Sequence, residues 1–490
     1  AAATLEVLSP AAPLPFQFGD TVDEARRLQY RYLDLRRPEM SDNIVARSKA
    51  IAAMRRTMDE LEFLEVETPT LIASTPEGAR DFLVPSRLRP GNFYALPQSP
   101  QLFKQLLMIG GVERYYQVAR CYRDEDFRSD RQVEFTQLDL EGAFWEQDDV
   151  LDTLESISVA AVKAVRDVDI VQPFPRLTWH EAIDRYGTDK PDIRFGMEVQ
   201  DLSDVFASSE FKAFAGTVAD GGVVRGVNAG DQGLSRAGLD GLVERAKELG
   251  AKGLVWMVTE EEGLRSPVAK FLSDAEQAAL RDSLGAKPGD LLLLAADTWR
   301  KASEVLGQLR LDLGQPEGHD DLAFLFVVDF PVFDVEGDKM VPAHHPFTSP
   351  VDVDDMAANP KTAISKAYDM VLNGSELGSG SVRIHDPGVQ AKVFEILGIS
   401  AENAERRFGW FMEALRYGTP PHAGFAIGID RFVAILQGAP NIREVIPFPK
   451  TQTGADPLTG SPSQVEDDQL RELGIDIRPD VRAEWESATE

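Results

Sequence analysis

Residues 113–145 read ERYYQVARCYRDEDFRSDRQVEFTQLDLEGAFW, and this stretch decides the fold. Two runs rich in β-branched and aromatic residues flank the charged string RDEDFRSDR at 123–131. A tip that polar stays in water, so the pattern predicts an antiparallel hairpin. Upstream, SDNIVARSKAIAAMRRTMDELEFL sets Ile44, Ile51, Met54, Met58 and Leu61 on one face at helical spacing, with Ser41 or Asp42 as N-cap. This long amphipathic helix runs into FLEVETPTL, a strand that Pro69 closes. FYALPQSPQLFKQLLMIGG then predicts a strand, a turn over Pro97–Pro100 and a helix. Further on, LAFLFVVDFPVF reads as a strand, KTAISKAYDMVLNG as a helix, and GFAIGIDRFVAILQ as a strand feeding a helix.

The whole chain of 490 residues carries 51 Lys+Arg against 81 Asp+Glu, a formal charge of −30. Its 43 % apolar and 8 % aromatic content buries a sizeable core and excludes a disordered acidic tail. The single cysteine, Cys121, excludes a disulfide framework and fits a reducing cytoplasm. No apolar run reaches the length of a membrane span, and the start AAATLEVLSPAAPLPF lacks a basic signal region, so no membrane is expected. Residues 26–131 are net positive, 18 Lys+Arg against 15 Asp+Glu, while the remainder is strongly acidic. An anionic ligand has one landing zone there.

Between 197 and 318 the texture changes to apolar strands such as KGLVWMVT and DLLLLAA alternating with helices, as in an inserted α/β domain. The expected division is a linker over 1–20, a first catalytic part over 21–196, the insertion over 197–318, a second catalytic part over 319–450 and an extension over 451–490. Lys104 and Arg383 lie in the apolar contexts QLFKQLL and GSVRIHD, where each needs a partner, either a protein acid or a ligand. On residues alone, Asp369 and Glu376 are two acids flanking Asn373–Gly374–Ser375.

Three segments in order, FLEVETPTL after a long helix, YRDE with its loop and RQVEF, and GFAIGIDR entering a helix, resemble the signature segments of class II aminoacyl-tRNA synthetases. TPEGARDFLVP, QSPQLFKQLLM, FRSDRQVEFTQLD, HHPFTSP and GSELGSGSVRIH narrow the resemblance to bacterial-type aspartyl-tRNA synthetases. One departure is the third segment, where Ala426 and Asp430 stand for the usual Gly and Glu. The resemblance implies an α+β fold with a six- to seven-stranded antiparallel sheet flanked by helices. It also implies a symmetric homodimer through the long helix.

The implied activity joins L-aspartate to the 3′ end of tRNA(Asp), with tRNA(Asn) as a second acceptor left open, through an adenylate made from ATP with Mg2+. Developing phosphate charge calls for guanidinium groups, and the resemblance supplies Arg123 and Arg431 as catalytic groups. It assigns Glu77, Ser99, Gln101, Lys104, Arg123, Asp139, His344 and Arg383 to aspartate. It assigns Arg123, Asp124, Glu125, Arg131, Gln132, Phe135, Glu376, Gly428, Ile429, Asp430 and Arg431 to ATP, with Phe135 under the adenine. Asp369 and Glu376 are the implied magnesium ligands, carboxylates with phosphate oxygens suiting that hard ion. Family members carry an N-terminal anticodon-binding OB barrel ending near a stretch like TLEVLSPAAPLPF, so its absence and poor tRNA charging are further expectations. Two rival readings are a catalytically silent synthetase paralogue that serves as a binding module and an asparagine-forming synthetase on the same fold.

Overall fold

The computed structural model describes Thr4, 6–75, 78–125, 128–314, 321–337 and 339–488, the last five by backbone alone. Along the chain, the elements that position functional side chains are α1 (Pro38–Glu60), β1 (Leu64–Glu65), α2 (Gln101–Ile109), β2 (Arg114–Tyr122), β3 (Glu134–Ala143), β4 (Arg176–Thr178), α3 (Trp179–Tyr186), β5 (Phe324–Val328), β6 (Ala367–Leu372), β7 (Ser375–Val382), β8 (His422–Gly428) and α4 (Ile429–Leu436). The chain divides into two compact units, one of residues 1–144, 152–169 and 401–490, the other of residues 145–151 and 170–400.

In the first unit the predicted hairpin is present: β2 pairs antiparallel with β3 from Arg114↔Gly142 to Tyr122↔Glu134. β8 lies on the other side of β3, antiparallel, from His422↔Ala143 to Gly428↔Gln137. Alternate residues of a strand share a face, so Asp139 and Glu141 point the same way. Three expectations differ from the structure. β1 has only two residues and pairs parallel with β2, because Pro69 and its neighbours leave little ladder to form. Helix α1 starts at Pro38 rather than Ser41, since proline at the first helical position is pre-set for the helix and needs no donor there. Its buried side is also more alanine-rich than expected: Ala46, Ala50 and Ala53 join Met40, Met54 and Met58, while Ile44 and Ile51 are half-exposed.

In the second unit, β6 pairs antiparallel with β5 and β7, and β4 pairs parallel with β5. Among the described residues these ladders hold eight strands, four in each unit, where six to seven were expected, and the short strands β1 and β4 are parallel to their neighbours. The stretch read as a helix over KTAISKAYDMVLNG forms β6 instead. All six residues of β6 are buried, and Asn373 and Gly374 both take positive φ, 50° and 77°, the two-residue turn that an Asn-Gly pair favours between antiparallel strands.

The same unit contains a five-stranded sheet whose order is 264–265, 255–259, 291–297, 223–228, 200–201. Its ladders are all antiparallel. Helix Trp299–Leu313 packs on it and buries Arg310, whose guanidinium donates to the carbonyls of Asp192, Phe195, Gly196 and Met197 and lies 4.1 Å from the Phe195 ring centroid. Helix α3 ends at Gly187 in the left-handed region, where a Cβ would overlap the backbone of Gly307, so two glycines permit this crossing.

Candidate active site

Two clusters of ionisable side chains are built on these elements, one in each unit. The first grows from α2 and β3. Lys104, on the inward face of α2, is 1 % exposed, and its Nζ lies 3.0 Å from Asp139 Oδ2, 3.1 Å from Glu141 Oε2 and 3.3 Å from the Leu140 carbonyl. Of the partners left open for Lys104, protein acids are therefore in place, and Asp139 faces the lysine. Glu141 was missed in the sequence; its signal is the i,i+2 spacing from Asp139 on one strand face. Gly424 of β8 makes room for it, because a Cβ there would overlap Glu141 Oε2 and the Leu140 carbonyl. The closest neighbour of that glycine is thus a carboxylate of β3.

At the loop end of the β2–β3 hairpin, the Arg123 guanidinium sits 5.1 Å from the Phe135 ring centroid. Its Nε is buried without a hydrogen-bond partner among the described residues. An arginine held over an aromatic face keeps its other N–H groups for an anion. Arg131 pairs with Glu125 at 3.1 Å, and Asp124 faces Arg80 at 3.8 Å. Arg431, at the start of α4, reaches Asp130 at 3.2 Å. These groups share the hairpin tip.

Other residues assigned to ATP are taken up by the chain itself. Gln132 exchanges two bonds with the Lys450 backbone, at 3.2 and 2.9 Å. Ile429 is fully buried. Asp430 is 3 % exposed and receives Arg47 of α1 at one oxygen and the Thr136 amide of β3, 2.9 Å, at the other. Gly428 caps α4. Of the residues assigned to aspartate, Ser99 accepts from the Gln101 backbone amide at 3.3 Å, and the Gln101 side chain donates to Gln105 at 3.2 Å. Glu77 lies outside the described residues.

The second cluster grows from the β6–β7 hairpin. The seven-residue gap between Asp369 and Glu376 is spanned by the Asn-Gly turn, with Glu376 opposite Val371 and a register shift beside it. Asp369 is 5 % exposed, and its Oδ1 has no hydrogen-bond partner among the described residues. Burial pushes its carboxyl well above the usual carboxylate range, and the charges of Glu376 and Asp189 push the same way. His344 Nδ1 lies 3.9 Å from Asp369 Oδ1, and its ring stands edge-on to Phe330 at 4.3 Å. Burial lowers the His344 pKa to about 4, with Asp189 acting against the shift and Arg383 with it.

Arg383 is 4 % exposed and donates to Ser381 Oγ at 2.8 Å. Asp189 and Lys190, which influence Asp369 electrostatically, were not flagged in the sequence, where nothing distinguishes them from surface charges. Among the described residues no group of three His, Cys, Asp or Glu side chains is placed to hold a metal. A divalent cation here therefore needs ligands beyond the protein. The orphaned, buried oxygen of Asp369 and the repulsion from Glu376 fit such a cation, because a positive charge relieves both.

With this geometry in view, the family of class II tRNA synthetases (D, K and N) matches residues 23–452. The chain belongs to that family. It is 51 % identical over 484 residues to the aspartate–tRNA ligase of Geobacillus kaustophilus (strain HTA426), covering 96 % of this chain and 82 % of that protein. It is 52 % identical to the aspartate–tRNA(Asp/Asn) ligase of Rubrobacter xylanophilus (strain DSM 9941 / JCM 11954 / NBRC 16129 / PRD-1), covering 97 % and 81 %. No helix among the described residues is long and apolar enough to cross a membrane.

Proposed function

We propose that this chain is an aspartate–tRNA ligase. The aspartate α-carboxylate attacks the α-phosphorus of ATP, pyrophosphate leaves, and a terminal ribose hydroxyl of tRNA then attacks the mixed anhydride and releases AMP. Neither step requires a side-chain nucleophile, so catalysis falls to orientation and charge stabilisation. The observation that carries the reading is the half-identical match over 96 % of the chain to an aspartate–tRNA ligase.

In this reading Arg123 binds the α-phosphate as negative charge builds there. Arg131 and Arg431 take the outer phosphates and the far side of the nucleotide. Asp124 and Glu125 lie on the same hairpin tip, and Phe135, already carrying Arg123 on its ring, supports the adenine. Arg383 clasps the substrate side-chain carboxylate. Lys104 supports it with a charge that Asp139 and Glu141 hold in place. Gln101 and Ser99 line the amino-acid end, and His344 closes over it. Asparagine offers Arg383 no opposing charge, so discrimination comes from charge more than shape.

Asp369 and Glu376 would hold Mg2+ together with phosphate oxygens; when bound, the ion neutralises triphosphate charge. A homodimer through α1 and a cytoplasmic address complete the proposal. The test is ATP–pyrophosphate exchange with aspartate, followed by charging of tRNA(Asp) and tRNA(Asn). Aspartate-dependent exchange well above that with asparagine is expected. Exchange absent with every amino acid would favour the silent paralogue, and AMP and asparagine formed without tRNA would favour the asparagine-forming enzyme. Sedimentation of a single 54.0 kDa species at micromolar concentration would refute the dimer.

A further inference from the structure

We propose that His422 is a positioning residue for amino-acid binding, acting on Gln101 through Gln105; the inference rests on the assignment of Gln101 to aspartate above. The three side chains form a buried line in the first unit: Gln101 is 7 % exposed, and Gln105 and His422 are fully buried. His422 Nδ1 lies 2.8 Å from the Pro420 carbonyl oxygen, which can only accept. A neutral ring then carries its proton on Nδ1 and accepts at Nε2, the tautomer that matches Gln105 Nε2 as donor. Gln105 Nε2 stands 3.0 Å from that acceptor and donates to it. This fixes which way the Gln105 amide faces. Its Oε1 then accepts from Gln101 Nε2 at 3.2 Å. One backbone carbonyl thus orders three side chains in a single direction.

The consequence falls on the outer end of the line. Gln101 is held with its nitrogen inward and its carboxamide oxygen outward, the polarity that receives an α-ammonium group. A reversed amide would turn N–H groups toward that cation. The helix cannot rotate to correct such an error, because Lys104, one residue from Gln105, is tied to Asp139 and Glu141. Apolar side chains would fill the volume of Gln105 and His422 without needing hydrogen bonds, so packing alone does not account for a polar line here.

Four variants test this in ATP–pyrophosphate exchange, with KM measured for aspartate and for ATP. His422→Asn keeps a donor for Pro420 but loses the acceptor at the Nε2 position. It is expected to raise KM for aspartate about tenfold while KM for ATP stays within about twofold. His422→Gln restores an acceptor near that position and is expected to remain within about threefold of the parent. Gln105→Met, close in volume, should match His422→Asn, and the double variant should be no worse than either, because both cut one line. Should His422→Asn fail to fold, judged by its thermal melt, Gln105→Met carries the test.

Gln101→Ala distinguishes a missing relay from a missing substrate contact. If it raises KM for aspartate while His422→Asn and Gln105→Met do not, the relay is overturned and the substrate assignment stands. If Gln101→Ala leaves that KM unchanged, the assignment of Gln101 itself falls. Equal rises in both KM values, or a His422→Gln variant as impaired as His422→Asn, would show a structural role only and would also overturn the relay.

Discussion

The Lys104 cluster and the Asp369 cluster are both buried and ionisable, yet their charges are arranged in opposite ways. In the first, one cation is clamped by two carboxylates at 3.0 and 3.1 Å, so its geometry is set before any substrate arrives. In the second, Asp369 and Glu376 repel each other, one buried oxygen has no hydrogen-bond partner among the described residues, and the Asp369 carboxyl is pushed well up by burial. The contrast separates a frame from a receptor. A saturated cluster keeps its shape, whereas a frustrated one stores a preference for a cation.

The largest effect expected is on Arg383, the cation proposed to meet the substrate side-chain carboxylate. Arg383→Leu should lower aspartate-dependent exchange by about a thousandfold while ATP binding, followed by equilibrium dialysis, survives. Retained exchange would remove the arginine from substrate recognition. Next comes the frame itself. Lys104→Met leaves Asp139 and Glu141 buried together without their cation and should cost roughly 3 kcal/mol of stability, read from the urea midpoint at unchanged slope. A variant as stable as the parent would mean that the first cluster is no frame.

Asp369→Asn should act the other way on the protein alone, leaving its thermal stability unchanged or raised, because a strained carboxylate is removed. In activity it should lose about a hundredfold, and added Mg2+ with ATP should stabilise the parent but not the variant. Equal stabilisation of both would erase the difference between the clusters.

The smallest effect lies outside both clusters, at the Asp184–Arg225 pair. Burial raises the Asp184 pKa, but hydrogen bonds from Arg225 and Trp299 outweigh it and hold the carboxyl below its ordinary value. A depressed acid contributes stability above its unfolded pKa, near 4, and loses it as pH falls through the lower folded value. Asp184→Asn should therefore cost about 1 kcal/mol or less at pH 7, since the carboxylate is 38 % exposed and screened, and the deficit should shrink below pH 4. Melting curves across that range check the sign.

The hairpin of β2 and β3, the long helix and the strand leading into α4 were legible because their signals are local: period, alternation and a charged tip. The β6 strand was not. KTAISKAYDMVLNG is rich in residues that suit a helix, and burial on both faces erases the alternation that marks a strand. The decisive clue was the Asn-Gly pair that closes it. Site residues followed the same divide. Arg123, Lys104 and Asp139 stood out by motif, but the pairing of Lys104 with Asp139 and Glu141 bridges 35 and 37 positions and appears only after folding. Asp430 stood in the motif as a nucleotide residue, and its engagement by Arg47 is equally invisible in one dimension.

Gly424 carries a consequence for how this sequence can change over generations. Because the space a methyl would need is occupied by the carboxylate of Glu141, neither position is free to drift alone. A lineage that acquires alanine at 424 must move both the Glu141 carboxylate and the Leu140 backbone carbonyl, and moving that carboxylate strips Lys104 of half its counter-charge. The glycine and the glutamate are one inherited character written at two addresses.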